Sequence, residues 1–439
     1  MLRFLLLLGL TLNKSVFGQD YTLLFSSSDV TAYMDQNEII GYNITGDFTL
    51  DEIYYMLISN SDNHIVQTER KIEFQEEGGY HSGNISIYGK FLGRVNLSLE
   101  LYQKSTNTLL TQASVNVRVI RGHGALNTAF TVSVAVLVSL IYINFGSALN
   151  WTDFIKYLKK PIGPAIGFVG QFVFMPLLSY GVGYALFPDD PAMQLGFFFT
   201  GSSPGGGGSN IWTALLDGNI DLSITMTGIS TLAAFGMIPF WIFTLGATIF
   251  DRSNLEVPYR NITMFAVALV IPLAIGYLIQ RYMQKTANFL RKTLKIFSGI
   301  LIIFIIVFAI VANLYLFEMF SWQIVVAGIG VPWLGYLGGW LLAKIFRQNP
   351  KDSLTIAIEV GLQNTGIAIF LLRFSLPQPE ADLTTIAPVA VACMTPIPLL
   401  VLFLIKLVKR RIQMKNKPKD LGTVNEISVD SKVVQTQKY

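Results

Sequence analysis

Residues 193–216 read MQLGFFFTGSSPGGGGSNIWTALL, long and apolar enough to cross a bilayer, yet with Pro204-Gly205-Gly206-Gly207-Gly208 at the centre. Proline removes a backbone donor and four glycines make a helix entropically expensive, so the spacing predicts an unwound segment there. Irregular backbone at membrane depth persists only where it is buried in protein or lines a watery cavity, so the break predicts a site. A phosphate-cradling loop would need Gly-Lys-Ser/Thr after it and a strand before it, and the sequence has neither. Close helix packing through small residues accounts for a single Gly-x-x-x-Gly better than for four glycines behind a proline.

A second irregular stretch lies in the apolar run 354–372, which contains Glu359-Val360-Gly361-Leu362-Gln363-Asn364-Thr365-Gly366. A carboxylate in hydrocarbon costs about 2.5–3.5 kcal/mol on insertion, so Glu359 is expected to face the interior with a partner. No Lys, Arg or His is expected at its depth, which leaves a proton, a hydrogen-bonding network or a metal cation. Gly361 and Gly366 flank the polar run and make it a second expected interruption.

The chain around these stretches has 439 residues, 52% of them apolar and 14% charged, with a mean hydropathy of +0.49. Too few polar residues remain to cover soluble domains of that size, whereas a helical bundle in lipid needs no such cover. Nine apolar spans are expected, at 125–145, 161–187, 193–216, 222–249, 262–279, 294–317, 323–343, 354–372 and 383–407. Eighteen Lys and Arg cluster at 156–160, 281–295, 344–351 and 406–419, against three on the other side: Arg252, Arg260 and Arg373. Basic loops stay in the cytoplasm, so the N-terminal part is expected outside and the 411–439 tail, polar and disordered by composition, inside.

The N-terminal region agrees with that orientation. Arg3, the short apolar run 4–12 and Val16-Phe17-Gly18 predict a signal peptide over 1–18, and plasma membrane is then the expected destination. Over 19–122 the pattern changes: Val95, Leu97, Leu99 and Leu101 alternate with polar residues, as do Val115, Val117 and Val119, which predicts half-buried strands and a small extracellular β-sandwich. Sequons at Asn43, Asn84 and Asn96 predict glycosylation there, with Asn96 on the polar side of its strand. His64, His81 and His123 match no metal-ligand spacing and are expected as solvated surface residues. The lone Cys393 excludes an intramolecular disulfide and a cysteine zinc site.

The two irregular spans are the third and the eighth, so they cross in opposite directions, as an inverted repeat requires. Their breaks are expected to meet near the midplane, where Ser209 and Asn210, with Ser223 and Thr227 four apart on the next helix, offer oxygen ligands for a small hard cation such as sodium.

Gly201-Ser202-Ser203-Pro204-Gly205-Gly206 with Ser209-Asn210, then Leu222-Ser223 with Thr227 and Ser230-Thr231, then Glu359-Val360-Gly361-Leu362-Gln363-Asn364, resemble the bile acid:sodium symporter family. The likeness covers about residues 125–410, and within the family the chain is most similar to an orphan branch with a signal peptide and a glycosylated head. The resemblance implies an all-α polytopic inverted-repeat secondary transporter with core and panel domains, alternating access and two sodium ions behind the crossing. It implies a first sodium site of Ser209, Asn210, Ser223, Thr227 and Glu359. A second would use Glu359, Gln363 and Gln171 with the carbonyls of Val360 and Leu362, and Asn364 would face the substrate, an amphipathic organic anion. Gly207 and Gly208 depart from the family's pattern of two varied residues there, which implies a looser crossover.

Two other classes compete. A non-transporting receptor or adaptor would sense a ligand through the head and signal through the tail; nine spans and two polar breaks weigh against it. An intramembrane hydrolase would need a His or Lys at membrane depth to activate a serine, and none is expected. Proton coupling through Glu359 is the alternative within the transporter class. No nucleic-acid partner and no enzymatic activity are expected.

Overall fold

Alternation of apolar and polar residues builds the first part of the chain. In the computed structural model, which describes residues 21–122, 125–148, 161–252, 256–290 and 320–415, nine strands run from Thr22 to Ile120. One sheet has the order β1 (Thr22–Phe25), β3 (Asn37–Phe48), β7 (Gly78–Gly89), β5 (Val66–Thr68). The other has β2 (Asp29–Tyr33), β9 (Thr108–Ile120), β8 (Gly93–Gln103), β4 (Tyr54–Asn60), β6 (Lys71–Phe74). All neighbours are antiparallel except β2 and β9. Val95, Leu97, Leu99 and Leu101 of β8 and Val115, Val117 and Val119 of β9 are buried in one core with Ile40, Ile44, Ile85 and Ile87 of the facing sheet. Each such side chain contributes about 1.5–3 kcal/mol on leaving water, which is what holds a domain without disulfides.

Asn43, Asn84 and Asn96 are all exposed. His64 is exposed as expected, but His81 is not a solvated residue: its ring stacks on Phe74 at 3.8 Å and its Nδ1 lies 2.5 Å from a Glu76 carboxylate oxygen. The aromatic end of the sandwich covers it, a long-range effect that strand spacing does not reveal. His123, the signal peptide at 1–18, the sixth expected span at 294–317 and most of the 411–439 tail lie outside the described residues.

The rest is helical: α1 (Ala125–Ala148), α2 (Ile162–Leu186), α3 (Pro191–Ser202), α4 (Ser209–Leu215), α5 (Ile220–Arg252), α6 (Tyr259–Ala268), α7 (Val270–Tyr282), α8 (Trp322–Ile345), α9 (Pro350–Gly361), α10 (Thr365–Ser375), α11 (Glu380–Leu383), α12 (Ile386–Met394) and α13 (Pro396–Lys415). Among the described residues, four helical stretches are long and apolar enough to cross a membrane, Ile162–Leu186, Ile220–Arg252, Trp322–Ile345 and Glu380–Ile412. The third and eighth expected spans are not among them because each is cut in two. Leu334, Leu337, Trp340 and Leu341 of α8 stand exposed, a stripe suited to lipid and unsuited to water. The protein is accordingly a multi-pass membrane protein.

One loop assignment is corrected. Arg373, expected in an outer loop, lies inside α10 because that helix runs on to Ser375, and it is buried against Asp382 of α11, to which its guanidinium donates. Neither partner of this pair is legible as buried without the other.

Candidate functional site

Glu359 ends the first half of the interrupted α9–α10 span. It is 3% exposed, and three hydroxyls converge on its carboxylate. Ser209 Oγ donates to Oε1 at 2.7 Å, Ser223 Oγ donates to the same oxygen, and Thr227 Oγ1 lies 3.0 Å from Oε1 and 3.1 Å from Oε2. Helical geometry explains the grouping: Ser223 and Thr227 stand one turn apart on α5, while Ser209 begins α4 directly after the glycine run. Thr213, one turn beyond Ser209, donates to Ser223 Oγ at 3.3 Å; sequence reasoning missed it, although the same spacing of four would have found it. Among the described residues no Lys, Arg or His pairs with Glu359.

The two breaks meet. Gly206 N donates to Leu362 O at 2.8 Å and Asn364 N to Pro204 O at 2.9 Å, so the unwound segments cross as a short antiparallel bridge between Gly205 and Gln363. This pairing satisfies backbone groups that the interrupted helices leave open. The approach is crowded: a Cβ on Gly206 would stand 2.7 Å from Leu362 Cδ2 and 3.0 Å from the Gln363 carbonyl oxygen. Gly207 faces open space, so the fourfold glycine run is needed at one end and not throughout.

Beside the carboxylate lies a second polar group. Gln171 Nε2 donates to Gln363 Oε1 and to Ser203 O, both at 2.7 Å, and Gln363 Nε2 donates to Val360 O at 2.7 Å. Gln171 sits in a π-helical turn, Gly170–Phe174, within α2, a local widening that often marks functional sites. Asn364 is half-buried and its side chain caps α10 by accepting from Ile367 N at 3.3 Å. Asn210 follows Ser209 into α4, and its buried Oδ1 accepts no hydrogen bond from the described residues. A cavity lined by Gly167, Gln171, Met226, Ser230 and Glu359 leaves about 10 Å³ for the centre of a water-sized sphere, room for about one water or a small ion.

Four residues of the first expected set, Ser209, Ser223, Thr227 and Glu359, are thus in mutual contact, with Asn210 adjoining. Gln171 and Gln363 meet each other, while the carbonyls of Val360 and Leu362 are already hydrogen-bonded. A buried, oxygen-rich cluster of this kind suits a hard cation better than a soft metal. Among the described residues no group of three His, Cys, Asp or Glu side chains is placed to hold a metal ion.

The family model described as the Sodium Bile acid symporter family matches residues 135–319. The mouse (Mus musculus) protein named sodium-dependent organic anion transporter is 34% identical over 262 residues, 58% of this chain and 68% of that one. The mouse ileal sodium/bile acid cotransporter is 31% identical over 267 residues, 60% of this chain and 75% of that one. The human (Homo sapiens) P3 protein is 33% identical over 260 residues, 58% of this chain and 54% of that one. With the matched region running through the helical body, this chain belongs to the sodium bile acid symporter family.

Proposed function

We propose that the protein is a secondary active symporter that couples inward sodium movement to uptake of an amphipathic organic anion, of bile acid or steroid-conjugate type. The observation that carries this reading is the buried Glu359 carboxylate ringed by the hydroxyls of Ser209, Ser223 and Thr227, with no cationic side chain paired to it among the described residues. The names of its relatives, a sodium-dependent organic anion transporter and a sodium/bile acid cotransporter, support the same reading. One sodium ion would take oxygens from Ser209, Asn210, Ser223, Thr227 and Glu359, where Asn210 Oδ1 has no competing donor among the described residues. A second would use Glu359, Gln363 and the carbonyls of Val360 and Leu362, and a turn of the Gln171 amide would add its oxygen. Sodium neutralises the carboxylate and orders the crossing, and the anion then binds beside Asn364; that ordering is the coupling. Two sodium ions with a monovalent anion move one net charge, worth about 2.3 kcal/mol per 100 mV, so uptake is electrogenic.

The same reading makes the body a nine-span inverted repeat working by alternating access between core and panel domains. The β domain is outside and glycosylated at Asn43, Asn84 and Asn96, the tail is cytoplasmic, and the site of action is the plasma membrane. The test is uptake of bile acids, sulphated steroids and other organic anions by cells expressing the full chain, in sodium and then in choline medium at one pH. Uptake lost in choline supports sodium coupling; equal uptake in both media that follows pH would assign the coupling to a proton on Glu359.

A further inference from the structure

The β domain reaches the helical body through an ion pair. Arg94, at the start of β8, donates through Nε to Glu380 Oε1 at 2.5 Å and through a terminal nitrogen to Oε2 at 2.9 Å, the two-pronged geometry that is strongest between guanidinium and carboxylate. Its bond to Glu380 outweighs its partial burial and raises the guanidinium above its ordinary value, so the group stays charged. The Glu380 side chain is only 8% exposed, so this carboxylate depends on its partner. Glu380 opens α11, the four-residue helix whose Asp382 holds Arg373 of α10. Thr384 and Thr385 fasten the same turn by donating to the carbonyls of Glu380 and Asp382 at 2.7 and 2.6 Å. From there α10 runs eleven residues, about 16 Å, to the Asn364 cap at the crossing.

The domain is also joined in sequence to α1, which packs on both α7 and α10. β9 ends at Ile120 and α1 begins at Ala125, leaving a very short connection. α1 packs backbone to backbone on α7: a Cβ on Gly146 would stand 2.3 Å from Leu273 O, and one on Gly276 would stand 2.1 Å from Ile143 O. The β domain therefore bridges α1, to which it is covalently joined, and the α10–α11 corner, which it grips by charge.

We propose that Arg94 and Glu380 are positioning residues, a latch by which the β domain holds the second broken helix against displacement relative to α1 and so favours the observed crossing. This rests on the alternating-access reading, in which parts of the helical body move past each other. Weakening the latch populates arrangements in which α10, and with it the Asn364 cap beside the crossing, is displaced, and apparent sodium affinity falls in proportion to the competent fraction.

The test uses the full-length protein in lipid nanodiscs, with hydrogen exchange over 365–383 and thermal stability titrated with NaCl against choline chloride at constant ionic strength. Arg94→Glu should speed exchange in that segment by about tenfold, as expected for a partly buried pair, and raise half-saturating NaCl about threefold. The charge-swapped double variant, Arg94→Glu with Glu380→Arg, should restore both. Arg94→Gln, which leaves no like-charge contact, should give the same direction and serves if Arg94→Glu fails to fold. Wild-type exchange in Arg94→Gln and Arg94→Glu overturns the latch. So does a uniform fall in melting temperature with unchanged NaCl midpoint, which would mark a merely structural contact. If the wild type shows no sodium response at all, the sodium reading fails, while the exchange measurement still decides whether the pair restrains α10.

Discussion

Between α3 and α4 the chain is opened by Pro204 and glycines that contribute almost no side-chain atoms, whereas between α9 and α10 it is opened by Leu362, Gln363 and Asn364, next to Glu359. The first break supplies room and backbone donors; the second supplies charge and amides. Neither makes a site alone, because bare backbone holds no ionic partner and a lone carboxylate in an apolar bundle lacks the hydroxyls that Ser209 on the other break and Ser223 and Thr227 on α5 bring to it. The difference also explains tolerance. Side chains are crowded where Gly206 meets Leu362 and are admissible at Gly207, which faces open space.

The largest expected effect tests the charged side. Glu359→Gln removes the charge while keeping the shape, and should abolish sodium-dependent thermal stabilisation with surface expression near normal; a retained sodium response would move the cation elsewhere. Gly206→Val tests the space-giving side. Its Cβ meets Leu362 and the Gln363 backbone, and overpacking there should destabilise by about 2–3 kcal/mol, read as a lower melting temperature. Thr227→Val deletes one hydroxyl from the carboxylate at nearly constant volume and should raise half-saturating NaCl about tenfold, in line with the loss of a buried hydrogen bond to a charged group. The smallest effect is Gly207→Ala. With free space and no left-handed backbone, it should stabilise by about 0.4–1 kcal/mol through the unfolded chain, leaving the sodium midpoint unchanged.

Both interruptions were legible because local chemistry forces them: Pro with four glycines cannot stay helical cheaply, and a carboxylate in an apolar run needs company. The alternation in β8 and β9 was legible for a similar reason, since period two fixes which residues face the core. The Arg373–Asp382 pair and the stacking of His81 on Phe74 were not, because each depends on an element whose position no local spacing reports. The hydroxyl ring was half legible. The step of four from Ser223 to Thr227 puts them on one helical face, but which face meets Glu359 is a matter of packing.

By itself the sequence determined that this is a membrane-embedded helical body behind a β-rich region, with two weakened helices and one acid among apolar neighbours, because hydrophobic period, helix breaking and desolvation act within a few residues along the chain. Only the tertiary structure decided that the weakened segments hydrogen-bond to each other, that three hydroxyls from two helices close on one carboxylate, and that Arg94 reaches Glu380 across 286 positions of sequence. Contacts of that kind form when distant elements are packed together, and no local property of the chain encodes them.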